Sequence, residues 1–188
     1  MTTGYQIKDQ YAAHYLTFQV VEWADIFTRK IYRDIIMDSF KYCCKNKGLE
    51  IYAFVIMSNH IHLIVKSKPG KLSGTIRDLK SYTSRKIIET IFAIGESRKT
   101  WLLMVFKYAA NGHNRNEFYQ VWTHENHAIE LYSKSFIEQK INYIHQNPVK
   151  AGLVAKAEDY LYSSAGFYAG LPGAFEIEVL SLGWKTII

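Results

Sequence analysis

Cysteine and proline are both scarce in this chain, whose 188 residues include two of the first and three of the second. The two cysteines, Cys43 and Cys44, are neighbours in a segment with helical periodicity, where adjacent side chains point about 100° apart. A disulfide between them is therefore not expected, and a reducing compartment is the simpler setting. Linkers, repeats and low-complexity segments are also lacking, so we interpret residues 1–188 as one domain.

Long apolar runs are absent as well. None approaches the roughly 18 residues that a membrane-spanning helix requires, and residues 1–9 contain no apolar signal core. We therefore expect a cytoplasmic protein with no membrane partner. The chain also lacks a glycine-rich phosphate loop and the Gly-x-Ser-x-Gly turn that is typical of serine hydrolases.

Aromatic and basic side chains, by contrast, are abundant. Hydrophobic residues make up 48% of the chain and charged residues 21%, a balance that is typical of a globular domain. The formal net charge of +6 favours a polyanionic partner such as nucleic acid. Fourteen tyrosines are more than packing alone requires.

Hydrophobic periodicity predicts alternating strands and helices. Strands are expected at 15–21, 49–57, 61–66 and 118–123, and helices at about 28–45, 72–92, 105–109 and 135–146. Gly48 should end the first helix, and Pro148 should end the last one near Asn147, because proline disfavours helical geometry in the residue before it. This order predicts an α+β fold: a ferredoxin-like antiparallel sheet with helices packed on one face and an extra C-terminal helix.

Two histidines lie two residues apart in the apolar run at 51–65. Side chains alternate between the faces of a strand, so His60 and His62 should point the same way. Two imidazoles that converge from one strand form half of a divalent-metal site. The alternative is a pair of exposed polar residues on a half-buried strand.

A third ligand is expected from the last predicted helix. Asn147 follows Tyr143 by four residues and shares its face of the helix, and Gln146 is nearly as close. Two imidazoles with an amide oxygen suit Mg²⁺ or Mn²⁺, although imidazole also accepts Zn²⁺. The alternative for Asn147 is a helix C-terminal position, which asparagine fills well.

Tyr143 is the candidate nucleophile. A phenol with a pKa near 10 attacks poorly until a nearby cation or base favours the phenolate. A metal that bound a phosphodiester would polarise the phosphorus and stabilise charge on the leaving oxygen. The alternative is a buried aromatic residue on a helix.

Basic side chains are concentrated between residues 66 and 86, where the notable acid is Asp78. Cations interleaved with hydroxyl groups and the aromatic ring of Tyr82 suit single-stranded nucleic acid, so we expect a DNA-binding surface here. The alternative is a solvated helix face. The candidate DNA-binding residues are Lys66, Lys68, Lys71, Arg77, Lys80, Arg85 and Lys86.

A zinc hydrolase is a competing interpretation of the histidines. His124 and His127 form a His-x-x-His pattern, and His127 could join His60 and His62 as ligands. However, this segment is interpreted as the start of a helix, and zinc hydrolases usually carry a glutamate base at a defined spacing.

Two segments together resemble a known family. They are Val-Ile-Met-Ser-Asn-His-Ile-His-Leu-Ile-Val at 55–65 and Tyr-Ile-His-Gln-Asn-Pro-Val-Lys-Ala-Gly-Leu-Val at 143–154. Both are similar to the single-tyrosine HUH transposases and, more closely, to their branch of REP-associated tyrosine transposases. The Val-Trp pair at 121–122 and the segment 160–165 are similar to that branch too, so the resemblance covers about residues 15–165.

The resemblance implies a ferredoxin-like catalytic domain that cuts and rejoins single-stranded DNA at hairpin-forming repeats. His60 and His62 would hold the divalent metal, and Asn147 would match an amide ligand of relatives. Tyr143 would form a 5′-phosphotyrosine bond and free a 3′-hydroxyl. Relatives act as monomers or as homodimers. Residues 93–118 are longer than the family leads us to expect. A DNA-binding module without chemistry is the main rival hypothesis.

Overall fold

A four-stranded antiparallel sheet forms the centre of the computed structural model, which describes residues 6–111, 118–172 and 177. The strands are β1 (His14–Gln19), β2 (Leu49–Ile56), β3 (His60–Ser67) and β4 (Ile129–Glu130), in the spatial order β2-β3-β1-β4. The helices are α1 (Lys30–Lys47), α2 (Leu72–Ala93), α3 (Lys99–Asn111), α4 (Lys134–Lys150) and α5 (Ala165–Tyr168). Within these ranges, no helix has the length and apolar character needed to cross a membrane.

Gly48 ends α1, as predicted. Its φ of 62° is left-handed, a conformation that glycine adopts without strain, and its N–H donates to the carbonyl of Cys43. A Cβ atom at this position would also lie only 2.9 Å from Cδ of Pro69. Both the left-handed backbone and this close contact therefore disfavour any residue other than glycine. The chain therefore turns sharply and begins β2 at the next residue.

The hairpin of β2 and β3 places the two histidines at the centre of the sheet. Met57 N–H donates to the carbonyl of His60 across the turn at Ser58 and Asn59, and Ile56 pairs with Ile61. On its other edge β3 pairs with β1, where Gln19 faces His60 and Thr17 faces His62. Because β3 is bonded on both edges, its histidines are held by a strand with little freedom to shift.

The two faces of the sheet are covered by different helices. The larger apolar core joins one set of β3 side chains, Ile61, Leu63 and Val65, to residues of α1, α2 and α3. On the opposite face, Ile64 belongs to a smaller core with Ile141 and Ile144 of α4. The α+β, ferredoxin-like prediction is confirmed, and the extra C-terminal helix packs on the face that α1 and α2 leave open.

The strand predicted at 118–123 is wrong. Trp122 makes a single isolated bridge to Val20, and the carbonyl of Val121 accepts a hydrogen bond from the N–H of Val21. The alternation that suggested a strand reflects burial instead, since Trp122 packs against the rings of Phe18 and Phe27. The fourth strand is the short β4.

Two helices are longer than predicted. The helix expected at 105–109 is α3, which runs from Lys99 to Asn111. α4 continues through Pro148 to Lys150 rather than ending near Asn147. Proline lacks an N–H group and so loses one helical hydrogen bond. Because Pro148 is only two residues from the end of α4, few backbone hydrogen bonds remain to be formed after it. Those bonds are made: Ala151 N–H donates to the carbonyl of Asn147, and Leu153 N–H to that of Pro148.

Candidate active site

His60 and His62 face the α4 layer together, with ring centroids 4.7 Å apart. They share this face because one residue separates them on β3, and Ile61 between them points into the core on the other side. His62 is buried and His60 is half-buried. The predicted convergence of the two imidazoles is therefore present in the structure.

Asn59 orients the ring of His60. Nδ1 of His60 lies 2.7 Å from Oδ1 of Asn59, and an amide oxygen only accepts, so this nitrogen carries the proton. The other end of the amide donates from Nδ2 to the carbonyl of Trp23 at 3.2 Å. Nε2 of His60 is thus left with the lone pair that a metal ion needs.

Tyr15 and Thr17 of β1 hold the ring of His62. Its Nδ1 lies 2.7 Å from the hydroxyl oxygen of Tyr15 and 3.0 Å from that of Thr17. Hydroxyl groups both donate and accept, so these contacts orient the ring, and Nε2 is the nitrogen available to a metal in the tautomer whose Nδ1 is protonated. Burial lowers the pKa of His62 to about 3, with smaller effects from His60 and Lys140. Burial also lowers the pKa of His60. Both rings are therefore neutral at pH 7, the form that binds metals.

Tyr143 lies beside His62 at the edge of this layer. Its ring meets that of His62 edge-on, with centroids 5.3 Å apart, and that of Tyr15 at 6.3 Å. The side chain is 41% exposed, so the alternative of a buried core aromatic is wrong. α4 brings the phenol next to the histidines because Ile141 and Ile144, which flank it in sequence, are buried against the sheet.

Asn147 lies within α4 rather than at its end, so its alternative interpretation as a helix terminus is also wrong. Its Nδ2 donates to the carbonyl of Tyr143 at 2.7 Å, one helical turn earlier. Because the nitrogen is the donor, Oδ1 is the atom that could ligate a metal. Gln146, the other amide considered, is half-buried beside it.

Two lysines that the sequence analysis did not consider flank Tyr143. Lys140 Nζ lies 4.7 Å from the ring centroid of Tyr15 and 5.9 Å from that of Tyr143. Lys150 Nζ lies 5.8 Å from the Tyr143 ring on its other side. Their spacing from Tyr143, three residues before and seven after, puts all three on one helix face and was a usable signal.

The basic residues of α2 lie on the opposite side of the sheet from the histidines, because α2 packs on the larger core. Most of the predicted DNA-binding set is paired with acids, contrary to the expected shortage of balancing charge. The ion pairs are Lys68 with Glu50, Arg77 with Asp78, and both Arg85 and Lys86 with Glu89. Of the seven candidates, Lys66 lies on β3 at the alternating position that shares the histidine face.

Lys80, another candidate for the DNA-binding surface, is half-buried and bonded within the protein. Its Nζ donates to the carbonyl of Thr123 at 2.7 Å and to Oδ1 of Asn126 at 2.6 Å. Burial lowers its pKa to about 8. Lys80 therefore ties α2 to the segment that follows Trp122, a role in the fold rather than at a surface.

The three histidines of the alternative zinc site, His60, His62 and His127, do not form a group of metal ligands. In the described ranges, no group of three or more His, Cys, Asp and Glu side chains could hold a metal ion. The helix start predicted at Glu125 and His127 is wrong, because residues 125–128 form neither helix nor strand. Two imidazole nitrogens with an amide oxygen would suit Mg²⁺ or Mn²⁺.

Comparisons of sequence and of fold both find similarity to REP-associated tyrosine transposases. Over 128 residues the chain is 26% identical to a Haemophilus influenzae protein described as a candidate REP-associated tyrosine transposase, a match that covers 67% of this chain and 64% of that protein. The fold is shared with a solved REP-associated tyrosine transposase bound to a REP hairpin. That match has a TM-score of 0.59 at 17% identity and covers all of both chains.

A family model settles the class. The model described as "Transposase IS200 like" matches residues 10–108, from the segment before β1 into α3. The match includes both histidines, whereas Tyr143 lies beyond it. The chain belongs to this family of IS200-like transposases.

Proposed function

We propose that this protein is a metal-dependent transposase that cuts and rejoins single-stranded DNA through Tyr143. The observation that carries the proposal is the contact between the half-exposed phenol of Tyr143 and His62, whose ring lies 4.7 Å from that of His60. Tyrosine is uncommon as a nucleophile, and its position beside two oriented, neutral imidazoles matches the chemistry that phosphodiester cleavage requires.

His60, His62 and Asn147 would hold the metal. When bound, Mg²⁺ or Mn²⁺ would polarise the scissile phosphodiester and stabilise charge on the leaving oxygen. The phenol oxygen of Tyr143 forms a bond to phosphorus while the bond from phosphorus to the 3′ oxygen breaks. The phenol loses a proton and the released 3′-hydroxyl gains one. Attack by a 3′-hydroxyl on the 5′-phosphotyrosine reverses these steps, so the joining reaction needs no external energy source.

Lys140 and Lys150 would bind the phosphate oxygens on either side of Tyr143. Their ammonium groups lie within 6 Å of its ring, close enough to reach a phosphate that the phenol attacks. A phosphate held between them gains charge-assisted hydrogen bonds where negative charge develops. Lys66, on the histidine face of β3, would extend this basic surface along the DNA.

The substrate we propose is single-stranded DNA that carries a hairpin. The solved relative was bound to a REP hairpin, and the charge of +6 favours such a polyanion. Because Tyr143 contacts His62 of its own chain, we propose that one subunit supplies both the nucleophile and the histidines, whether the protein is a monomer or a homodimer. The exposed cations of α2, Arg77, Arg85 and Lys86, would form a second, weaker DNA contact.

A denaturing gel tests the proposal. The protein is mixed with pooled single-stranded hairpin DNAs and Mg²⁺ or Mn²⁺, beside Tyr143→Phe and the matched control Tyr132→Phe, an exposed tyrosine just before α4. We expect a metal-dependent covalent band in the wild type and in Tyr132→Phe, and none in Tyr143→Phe. DNA that is bound without a covalent band would instead favour the rival binding module.

A further inference from the structure

Trp23 is a large apolar side chain that the fold leaves outside the core. It ends a short 3₁₀ turn, Val21–Trp23, directly after β1, and it is 59% exposed. The contrast is Trp122, which is buried and donates its indole N–H to Thr83. Exposing an indole forgoes the stabilisation that its burial would give, so the position of Trp23 calls for another explanation.

The backbone at this turn is held in an unfavourable conformation. Glu22 and Trp23 have φ angles of 51° and 52°, the left-handed region that non-glycine residues seldom adopt. Two such residues in succession are stabilised by specific bonds: Trp23 N–H donates to the carbonyl of Val20, and the Trp23 carbonyl accepts from Asn59. The side chain of Trp23 is therefore positioned by a strained segment of backbone, which is less stable than an ordinary turn.

The placement is beside the candidate metal ligands. The indole meets the ring of His60 edge-on, with centroids 6.0 Å apart. Asn59 connects the two residues, because its Nδ2 donates to the Trp23 carbonyl while its Oδ1 accepts from Nδ1 of His60. One amide side chain thus fixes the relative position of the metal ligand and the exposed indole.

We propose that Trp23 stacks on one base of the DNA strand, within two nucleotides of the scissile phosphate. The proposal rests on the function proposed above, since it takes the phosphate to lie at His60 and His62. The indole and the imidazole of His60 are in direct edge-on contact, with centroids 6.0 Å apart, so a base on the indole would belong to a nucleotide close to a phosphate held at His60. The exposed carboxylate of Glu22 would repel a phosphate here, which favours contact with a base over contact with the backbone.

Stacking on a flat indole would fix the strand at the site with little dependence on sequence, since every base has a π face. Trp23 would then be a substrate-positioning residue. It would set which phosphodiester reaches Tyr143 and contribute to DNA affinity.

The first test compares Trp23→Ala and Trp23→Phe by the kcat/KM of hairpin DNA cleavage. Loss of a stacked base should lower kcat/KM by roughly tenfold or more in Trp23→Ala, whereas Trp23→Phe keeps an aromatic face and most of the activity. Tyr42→Ala is the matched control, because Tyr42 is 58% exposed on α1, on the opposite side of the sheet, and should behave as wild type. Trp23→Leu replaces Trp23→Ala if the latter does not fold.

The decisive test scans abasic sites through the DNA on both sides of the cleavage position. One abasic site should lower wild-type cleavage to the level of Trp23→Ala on intact DNA, and the same abasic site should cost Trp23→Ala nothing further. If the two losses multiply at every position, Trp23 does not stack on a base and the inference is overturned. If the wild type forms no covalent product with any DNA, the proposed function itself fails.

Discussion

Tyr143 meets the imidazole of His62 edge-on at a centroid distance of 5.3 Å, across the contact between α4 and the central strand β3. The two residues come from elements far apart in sequence, so their distance is set by how α4 packs on the sheet. Ile141 and Ile144 make that packing contact. The geometry of the candidate site is therefore a property of the smaller apolar core.

Asn147→Ala should raise the metal concentration needed for half-maximal DNA cleavage. The change would remove the proposed oxygen ligand and leave two imidazoles, which bind Mg²⁺ weakly on their own. A titration of cleavage rate with Mn²⁺ and with Mg²⁺ measures the shift. Gln146→Ala is the matched control on the same helix and should titrate as the wild type does. A shift in Gln146→Ala alone would assign the ligand to Gln146 instead.

Lys140→Ala should slow covalent attachment about tenfold or more, because a cation beside the attacked phosphate is lost. Lys140→Arg keeps the charge and should retain part of the rate. Single-turnover rates on a denaturing gel give the comparison, with Lys134→Ala as an exposed control at the start of α4. Equal rates in Lys140→Ala and the wild type would show that Lys140 does not contribute to the reaction.

Lys80→Ala should destabilise the fold rather than weaken DNA binding selectively. It leaves the carbonyl of Thr123 and Oδ1 of Asn126 without their donor, at a cost of about 1–2 kcal/mol. Urea unfolding measures the free energy of unfolding. Lys86→Ala, whose partner Glu89 is at the surface, should change it by less than about 0.5 kcal/mol. If Lys80→Ala has unchanged stability but binds DNA more weakly, Lys80 contributes to DNA binding and the prediction is wrong.

Glu96→Gln should lower stability at neutral pH. Burial raises the pKa of Glu96, but hydrogen bonds from the N–H of Arg98 and the side chains of Tyr32 and Arg29 outweigh it, so the folded-state pKa lies below the ordinary value. The carboxylate therefore stabilises the folded state above pH about 4.3. This contribution is lost as the pH falls through the lower, folded-state pKa.

The expected difference between Glu96→Gln and the wild type is about 1–3 kcal/mol at pH 7, and it should shrink in acid. Urea unfolding at pH 7 and at pH 3 compares the two proteins. Glu89→Gln serves as the exposed control and should change little at either pH. A difference that is the same at both pH values would mean that the charge on Glu96 contributes nothing.

Local patterns in the sequence predicted the parts of the site that a single strand or helix determines. The strand period alone puts His60 and His62 on one face, and the helix period alone puts Asn147 beside Tyr143. Gly48 was likewise predictable, because a left-handed helix end needs no information from elsewhere in the chain. These features depend on neighbours in sequence, which is why they were accessible.

What the sequence could not give depends on contacts between distant segments. Residues 118–123 alternate like a strand, but Trp122 is buried by Phe18 and Phe27 with only one bridge to the sheet. Lys80 looked exposed because its partners, Thr123 and Asn126, lie in another segment. Trp23 gave no signal, since neither its exposure nor its contact with His60 follows from the residues around it.

Asn59 has a consequence for how this protein can diverge. Its two amide atoms hold Trp23 and His60 at once, so a replacement at position 59 disturbs both residues together. A change of the Trp23 side chain leaves both of these hydrogen bonds in place, because Asn59 binds the backbone carbonyl of Trp23. Position 23 can therefore vary without moving His60, whereas position 59 admits few alternatives to asparagine.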